Sequence, residues 1–162
     1  MYLNKVIANL DVEYIKGYKK VEINELRYDS RNITPGDLFI CVQGFKTDGH
    51  KYIDQAIKKE ASAVVIDKNL DNYDDKITYI KVPNSRIAMP KLAKNFFENP
   101  LDDIDLIGVT GTNGKTTTTY LIKEILNHQG FKTGLIGTIE VFDGEKSINA
   151  SRTTPESIDI YR

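Results

Sequence analysis

One cysteine and two histidines are all that the 162 residues offer in thiol or imidazole ligands. A single thiol excludes an internal disulfide framework and fits a reducing compartment. Cys41 lies in the apolar run Leu38-Phe39-Ile40-Cys41-Val42 and reads as a buried strand thiol, not a nucleophile. His50 and His128 are too far apart in sequence to suggest a metal cluster. There is no excess of either charge: the formal net charge is −1, with acids and bases interspersed. That argues against a general nucleic-acid or membrane-surface binder. Lys19-Lys20 and Lys58-Lys59 are the only basic doublets, and a solvated face explains both. No apolar run approaches a membrane span, and the first residues, MYLNKVIANLDVEYIKG, lack the long apolar stretch of a signal peptide. A cytoplasmic location is therefore expected. Internal repeats and low-complexity tracts are also lacking. What remains is 40% hydrophobic and 28% charged, the composition of a core-forming globular protein.

Residues 1–98 read as a mixed α/β unit. Short strands are expected near Leu26–Tyr28 and over Leu38–Val42, separated by a turn at Thr34-Pro35-Gly36-Asp37. Tyr52, Ile53, Ala56 and Ile57 form the seam of an amphipathic helix over Lys51–Glu60. Two more strands follow at Ala63–Ile66 and Ile77–Val82. A four-residue apolar repeat then predicts a helix over Asn84–Glu98, with a late start or a kink at Pro90. The polar stretch Glu98–Leu106 is the expected boundary.

Beyond it, Ile104–Thr110 reads as a strand, Gly111–Gly114 as a turn and Lys115–His128 as a helix with an inner seam of Leu121, Ile122, Ile125 and Leu126. Gly130 ends the helix, Lys132–Gly137 forms the next strand, and Gly144 turns a hairpin between Thr138–Phe142 and Lys146–Asn149. Strand, glycine turn, helix and strand make a βαβ unit, which implies a parallel sheet and an α/β class. In that setting the stretch "GVTGTNGKTTTTYLIKEIL" becomes a phosphate site. The first N–H groups of a helix have no intrahelical partner and sit at the positive end of its dipole. Glycines let the backbone wrap a phosphate, Lys115 supplies a compact cation, and Thr116 a hydroxyl for Mg²⁺. The spacing is a variant of the general phosphate loop, because Val109 stands where the first glycine would be. The alternative is a flexible turn whose lysine faces solvent.

Thr110-Gly111-Thr112-Asn113-Gly114-Lys115-Thr116-Thr117 resembles the ATP-binding loop of the Mur ligases, the family that includes folylpolyglutamate and cyanophycin synthetases. Asp29-Ser30-Arg31, Pro35-Gly36-Asp37-Leu38-Phe39, Gly44 and Asp48-Gly49-His50 resemble the family's N-terminal UDP-binding domain. "GLIGTIE" (134–140) and "TTPES" (153–157) are similar to the branch that adds the third residue of the peptidoglycan stem peptide. The resemblance covers essentially the whole chain. It implies a small mixed α/β UDP-MurNAc-binding domain over 1–98 and, over 99–162, the incomplete beginning of a parallel-sheet P-loop ATPase domain.

The same resemblance implies roles for particular residues. Gly111, Thr112, Asn113, Gly114, Lys115, Thr116 and Thr117 would bind ATP, with Lys115 catalytic and Thr116 on Mg²⁺. Ser30, with Tyr28 beside it, and the loop residues Phe45, Lys46 and Thr47 would meet the uridine diphosphate. Thr153 and Thr154 would touch the peptide-bearing end of the substrate. Bland readings stand beside these: Ser30 as a turn residue, Phe45 as a half-buried loop aromatic, and Thr153-Thr154-Pro155-Glu156 as a helix start. The family often has Asn where this chain has Arg152. The implied reaction is ATP-dependent amide formation on UDP-MurNAc-L-Ala-D-Glu through an acyl phosphate, with L-lysine or meso-diaminopimelate as incoming amino acid. The chain would be the N-terminal part of that ligase, inactive alone. Alternatives are a MurF-type ligase, a short non-catalytic UDP-substrate and nucleotide binder, or an unrelated P-loop ATPase or kinase.

Overall fold

The computed structural model describes residues 1–18, 20–44, 47–149 and 154–162. The chain divides into two compact units, one of Met1–Asp102 together with Ser157–Arg162, the other of Asp103–Glu156. In chain order the elements are α1 (Leu3–Val6), β1 (Tyr14–Lys16), β2 (Leu26–Arg27), β3 (Leu38–Ile40), α2 (Ile53–Lys58), β4 (Ala63–Ile66), β5 (Thr78–Lys81) and α3 (Ser85–Phe96). These are followed by α4 (Lys115–His128), β6 (Leu135–Ile136), β7 (Glu140–Phe142), β8 (Ser147–Asn149) and α5 (Ser157–Tyr161).

In the first unit the strands form one sheet in the order β1-β5-β4-β3-β2. β2, β3, β4 and β5 run parallel, and β1 is an antiparallel edge on β5. The α/β class expected from the sequence is borne out here. The apolar runs 38–41 and 63–66 are continuous because both faces of the sheet are covered. Successive side chains point to opposite sides. Leu38, Ile40, Ala63 and Val65 therefore join Ala88, Met89, Leu92 and Ala93 of α3, with Leu3 and Val6 of α1 and Ile158 of α5. Phe39, Cys41, Val64 and Ile66 join Ile53 and Ala56 of α2 on the other side. Cys41 is fully buried directly after β3, as its sequence context suggests.

Several expectations need correction. The helix expected over 84–98 is present as α3, but of the two alternatives at Pro90 the late start is excluded: it begins at Ser85, capped by the Asn84 side chain, and runs through the proline. The cap supplies partners for the Arg86 and Ile87 N–H groups, and the buried face on either side of Pro90 compensates for the donor that the proline lacks. Helix α5 begins at Ser157, two residues past Pro155, where burial of Ile158 fixes it. Residues 104–110 form no strand: none of the described strands pairs with them, and Ile104, Leu106 and Ile107 are exposed. The expected parallel βαβ pairing is accordingly not found in the second unit. Its sheet is the antiparallel β6-β7-β8. In the inner seam of α4, Ile122 and Leu126 are half-buried, while Leu121 and Ile125 are exposed.

Candidate functional site

In the second unit the glycine turn enters α4 through Gly114, which takes the left-handed conformation at the N-cap (φ +75°). Only glycine adopts that angle without cost. An added Cβ at Gly108 or Gly114 would meet nothing within 4 Å, so the loop's inner surface is open. The Lys115 ammonium folds back and donates to the Gly111 carbonyl oxygen at 2.6 Å. Residues 111–118 are all exposed. The helix head, Lys115, Thr116 and Thr117 are thus all open to solvent. A helix N-terminus beside a lysine suits an anion such as a phosphate in charge. Among the described residues no group of three His, Cys, Asp or Glu is placed to hold a metal ion. Behind the loop, α4 is held to the hairpin by Lys123, whose ammonium lies 4.0 Å from the Phe142 ring centre and 3.9 Å from Glu140. Hydrogen bonds from the Ser147 and Tyr120 hydroxyls keep the Glu140 carboxyl below its ordinary range.

In the first unit the Asp29-Ser30-Arg31 segment is a 3-10 turn capped by Asp29, which accepts the Arg31 N–H at 3.0 Å. The Arg31 guanidinium returns to the same carboxylate at 2.6 Å, and these contacts lower the Asp29 carboxyl. Ser30 is only 6% exposed, and its hydroxyl donates to Gln55 Oε1 at 2.9 Å. The turn reading and a ligand role coexist only through the lone pairs that this bond leaves. Tyr28 turns its hydroxyl to Asp159 of α5 at 2.6 Å. Thr47 pairs with the Tyr52 hydroxyl at 3.1 Å.

Tyr52 and Gln55 are three residues apart where the 3-10 turn Gly49–Tyr52 runs into α2, so they share a face. That single helical turn gathers Ser30 and the end of the 44–47 loop. The sequence pattern places Tyr52 in the apolar seam of the helix, whereas it is exposed here, and the half-buried Gln55 carries no signal by type. Thr154 is exposed ahead of α5. Phe45, Lys46, Arg152 and Thr153 lie outside the described residues.

The Pro35-Gly36-Asp37 turn is organised by Asp37. One oxygen of this fully buried carboxylate accepts from Arg27 Nε (3.1 Å), the Thr34 N–H (2.9 Å) and the Thr34 hydroxyl (3.0 Å).

Two family models match the chain: "Mur ligase family, catalytic domain" over residues 22–97 and "Mur ligase middle domain" over residues 109–162. The chain belongs to the Mur ligase family. Among curated Mur ligases, it is 49% identical over its whole length to the UDP-N-acetylmuramoyl-L-alanyl-D-glutamate–2,6-diaminopimelate ligase of Clostridium tetani, of which it covers 34%. It is 50% identical over 99% of its length to the ligase of the same name from Clostridioides difficile, covering 33% of it. The chain thus spans about a third of the length of these relatives. A solved structure of a ligase with that name superposes with a TM-score of 0.65 at 17% identity, covering 99% of this chain and 32% of the other, and supports the Mur ligase fold. Among the described residues no helix is long and apolar enough to cross a membrane.

Proposed function

We propose that this chain is the N-terminal portion of an ATP-dependent ligase that joins 2,6-diaminopimelate to UDP-MurNAc-L-Ala-D-Glu. The observation that carries the reading is near-50% identity, along all of the chain, to relatives bearing that name. The incoming amino acid, lysine or diaminopimelate, is not legible in the residues themselves, and the relatives' names favour diaminopimelate. On this reading residues 1–98 hold the UDP end of the substrate, and residues from 99 onward begin the nucleotide-binding part.

The helix head and Lys115 supply positioning and charge, which dominate phosphoryl transfer. In the structure the Lys115 ammonium is satisfied by a neutral carbonyl. A phosphate oxygen is a stronger, charged acceptor, so binding of the triphosphate exchanges a weaker bond for a stronger one. Thr116 would hold Mg²⁺ through its hydroxyl, an oxygen ligand suited to a hard cation. Bound Mg²⁺ supplies neutralisation of charge on the phosphates. The substrate's D-glutamyl carboxylate attacks the γ-phosphorus and ADP leaves; the amine then attacks the acyl carbon and phosphate leaves. Ser30, Thr47 and Thr154 serve to hold the substrate. Tyr28 belongs with Ser30, and Phe45, Lys46 and Thr153 complete the set implied by the family resemblance.

The test uses the full-length protein with ATP, Mg²⁺ and UDP-MurNAc-L-Ala-D-Glu, adding either meso-diaminopimelate or L-lysine. The expected result is ADP release together with a product heavier by one diaminopimelate residue. Preference for lysine would overturn the choice of amino acid, and no amino-acid-dependent ADP release would overturn the ligase reading.

A further inference from the structure

The loop that leaves β3 is fastened at its base by a chain of polar side chains to which the reading above gives no role. Gln43 and Asp48 face each other in an isolated antiparallel bridge, and the Gly44 N–H donates to the Thr47 carbonyl at 2.9 Å. Lys68, just past β4, ties both ends: its ammonium is 2.7 Å from Gln43 Oε1 and 2.6 Å from Asp48 Oδ2. The other Asp48 oxygen accepts the His50 N–H at 3.1 Å and lies 2.6 Å from His50 Nδ1. The far nitrogen of the same ring, Nε2, is 3.3 Å from the Asp67 N–H and 3.3 Å from Asp67 Oδ1. Asp67 in turn accepts the Ser85 N–H at the head of α3 at 3.0 Å. His50 is nearly buried, whereas Lys68 is about half exposed. Burial would raise the Asp48 carboxyl, but the Lys68 ammonium and the His50 N–H groups outweigh it and hold the carboxyl well below its usual range.

A lone surface ion pair contributes little. This one differs because a single ammonium joins the two ends of one loop, and because its carboxylate partner is locked from behind by a buried imidazole. Fixing a loop before the ligand arrives removes an ordering cost from binding. We propose that Lys68, acting through Asp48 and His50, is a positioning residue for the nucleoside diphosphate end of the substrate: it presets the base of the 43–48 loop and does not touch the ligand. The inference rests on the ligase reading above.

The experiment is steady-state kinetics of the full-length ligase. In Lys68→Met, KM for the UDP-linked dipeptide is expected to rise about tenfold, with kcat and KM for ATP within about twofold of wild type. Lys68→Arg should restore most of the loss, and Asp48→Asn/Lys68→Met should be no worse than Asp48→Asn alone, because both changes break one link. An unchanged KM in Lys68→Met would overturn the inference. So would fully additive losses in the double variant, which would mark Lys68 as a direct diphosphate contact. A wild-type enzyme that does not turn over the UDP-linked dipeptide would instead overturn the ligase reading, and this inference with it.

Discussion

Replacing Gly49 by alanine should unfold the first unit more easily although it removes no contact. An ideal Cβ at this position would lie 2.7 Å from the Val42 nitrogen, 3.0 Å from the Val42 oxygen and 3.1 Å from the Cys41 Cα. All three are backbone atoms, so no side chain can swing aside. The segment they belong to is itself fixed, because the Cys41 N–H donates to the Val65 carbonyl at 2.9 Å. Relief must come from moving Gly49, whose own N–H donates to the Val42 carbonyl at 3.0 Å. Overpacking of this kind costs about 1–3 kcal/mol, and weakening the hydrogen bond adds about 1 kcal/mol. The sum, about 2–4 kcal/mol, corresponds to a fall in Tm of roughly 10–20 °C for a unit of this size. Urea denaturation followed by far-UV circular dichroism measures it. Gly114→Ala is the control: its Cβ would meet nothing, so its cost is the left-handed backbone alone, about 1–2 kcal/mol, confined to the second unit. A Gly49→Ala variant whose stability fell by less than about 0.5 kcal/mol, the ordinary effect of a surface change, would refute the reasoning.

Three other outcomes are expected. In the full-length protein, Lys115→Ala should weaken binding of a non-hydrolysable ATP analogue by roughly 10–100-fold, the worth of a charged hydrogen bond, while leaving the unfolding midpoint of the first unit unchanged in denaturant titration. Asp48 ionises below its ordinary range when folded, so its contribution is complete above the unfolded carboxyl value of about 4 and is lost as pH falls through the folded value; a plot of Tm against pH should therefore fall less steeply on the acid side for Asp48→Asn than for wild type. Burial, with the Asp48 and Asp67 carboxylates nearby, pushes the Cys41 thiol well up, so a thiol reagent at neutral pH should modify it only in denaturant, and rapid labelling of the native protein would contradict its placement.

The sequence was legible where local chemistry decides structure and opaque where partners do. Asp29 precedes a turn and caps it, accepting the N–H two residues on, as its type and place suggest. The runs around Phe39 and Val64 could be read as strands because burial on both faces leaves no polar position to mislead. The failures share one cause. Residues 104–110 have the composition of a strand, but a strand needs a neighbour for its N–H and C=O groups, and composition does not say where one lies. Leu121 and Ile125 have helical spacing, yet spacing names a face without naming what covers it. The same distinction separates the two proposed binding segments. The phosphate loop depends on contiguous residues, so the string Gly111–Thr117 carries nearly all of it. The proposed UDP-binding segment is held by side chains far apart in sequence, Ser30 with Gln55 and Lys68 with Asp48. A lysine 20 residues from its partner has no signature of its own, so the fastening of Gln43 to Asp48 through Lys68 comes into view only in the folded chain.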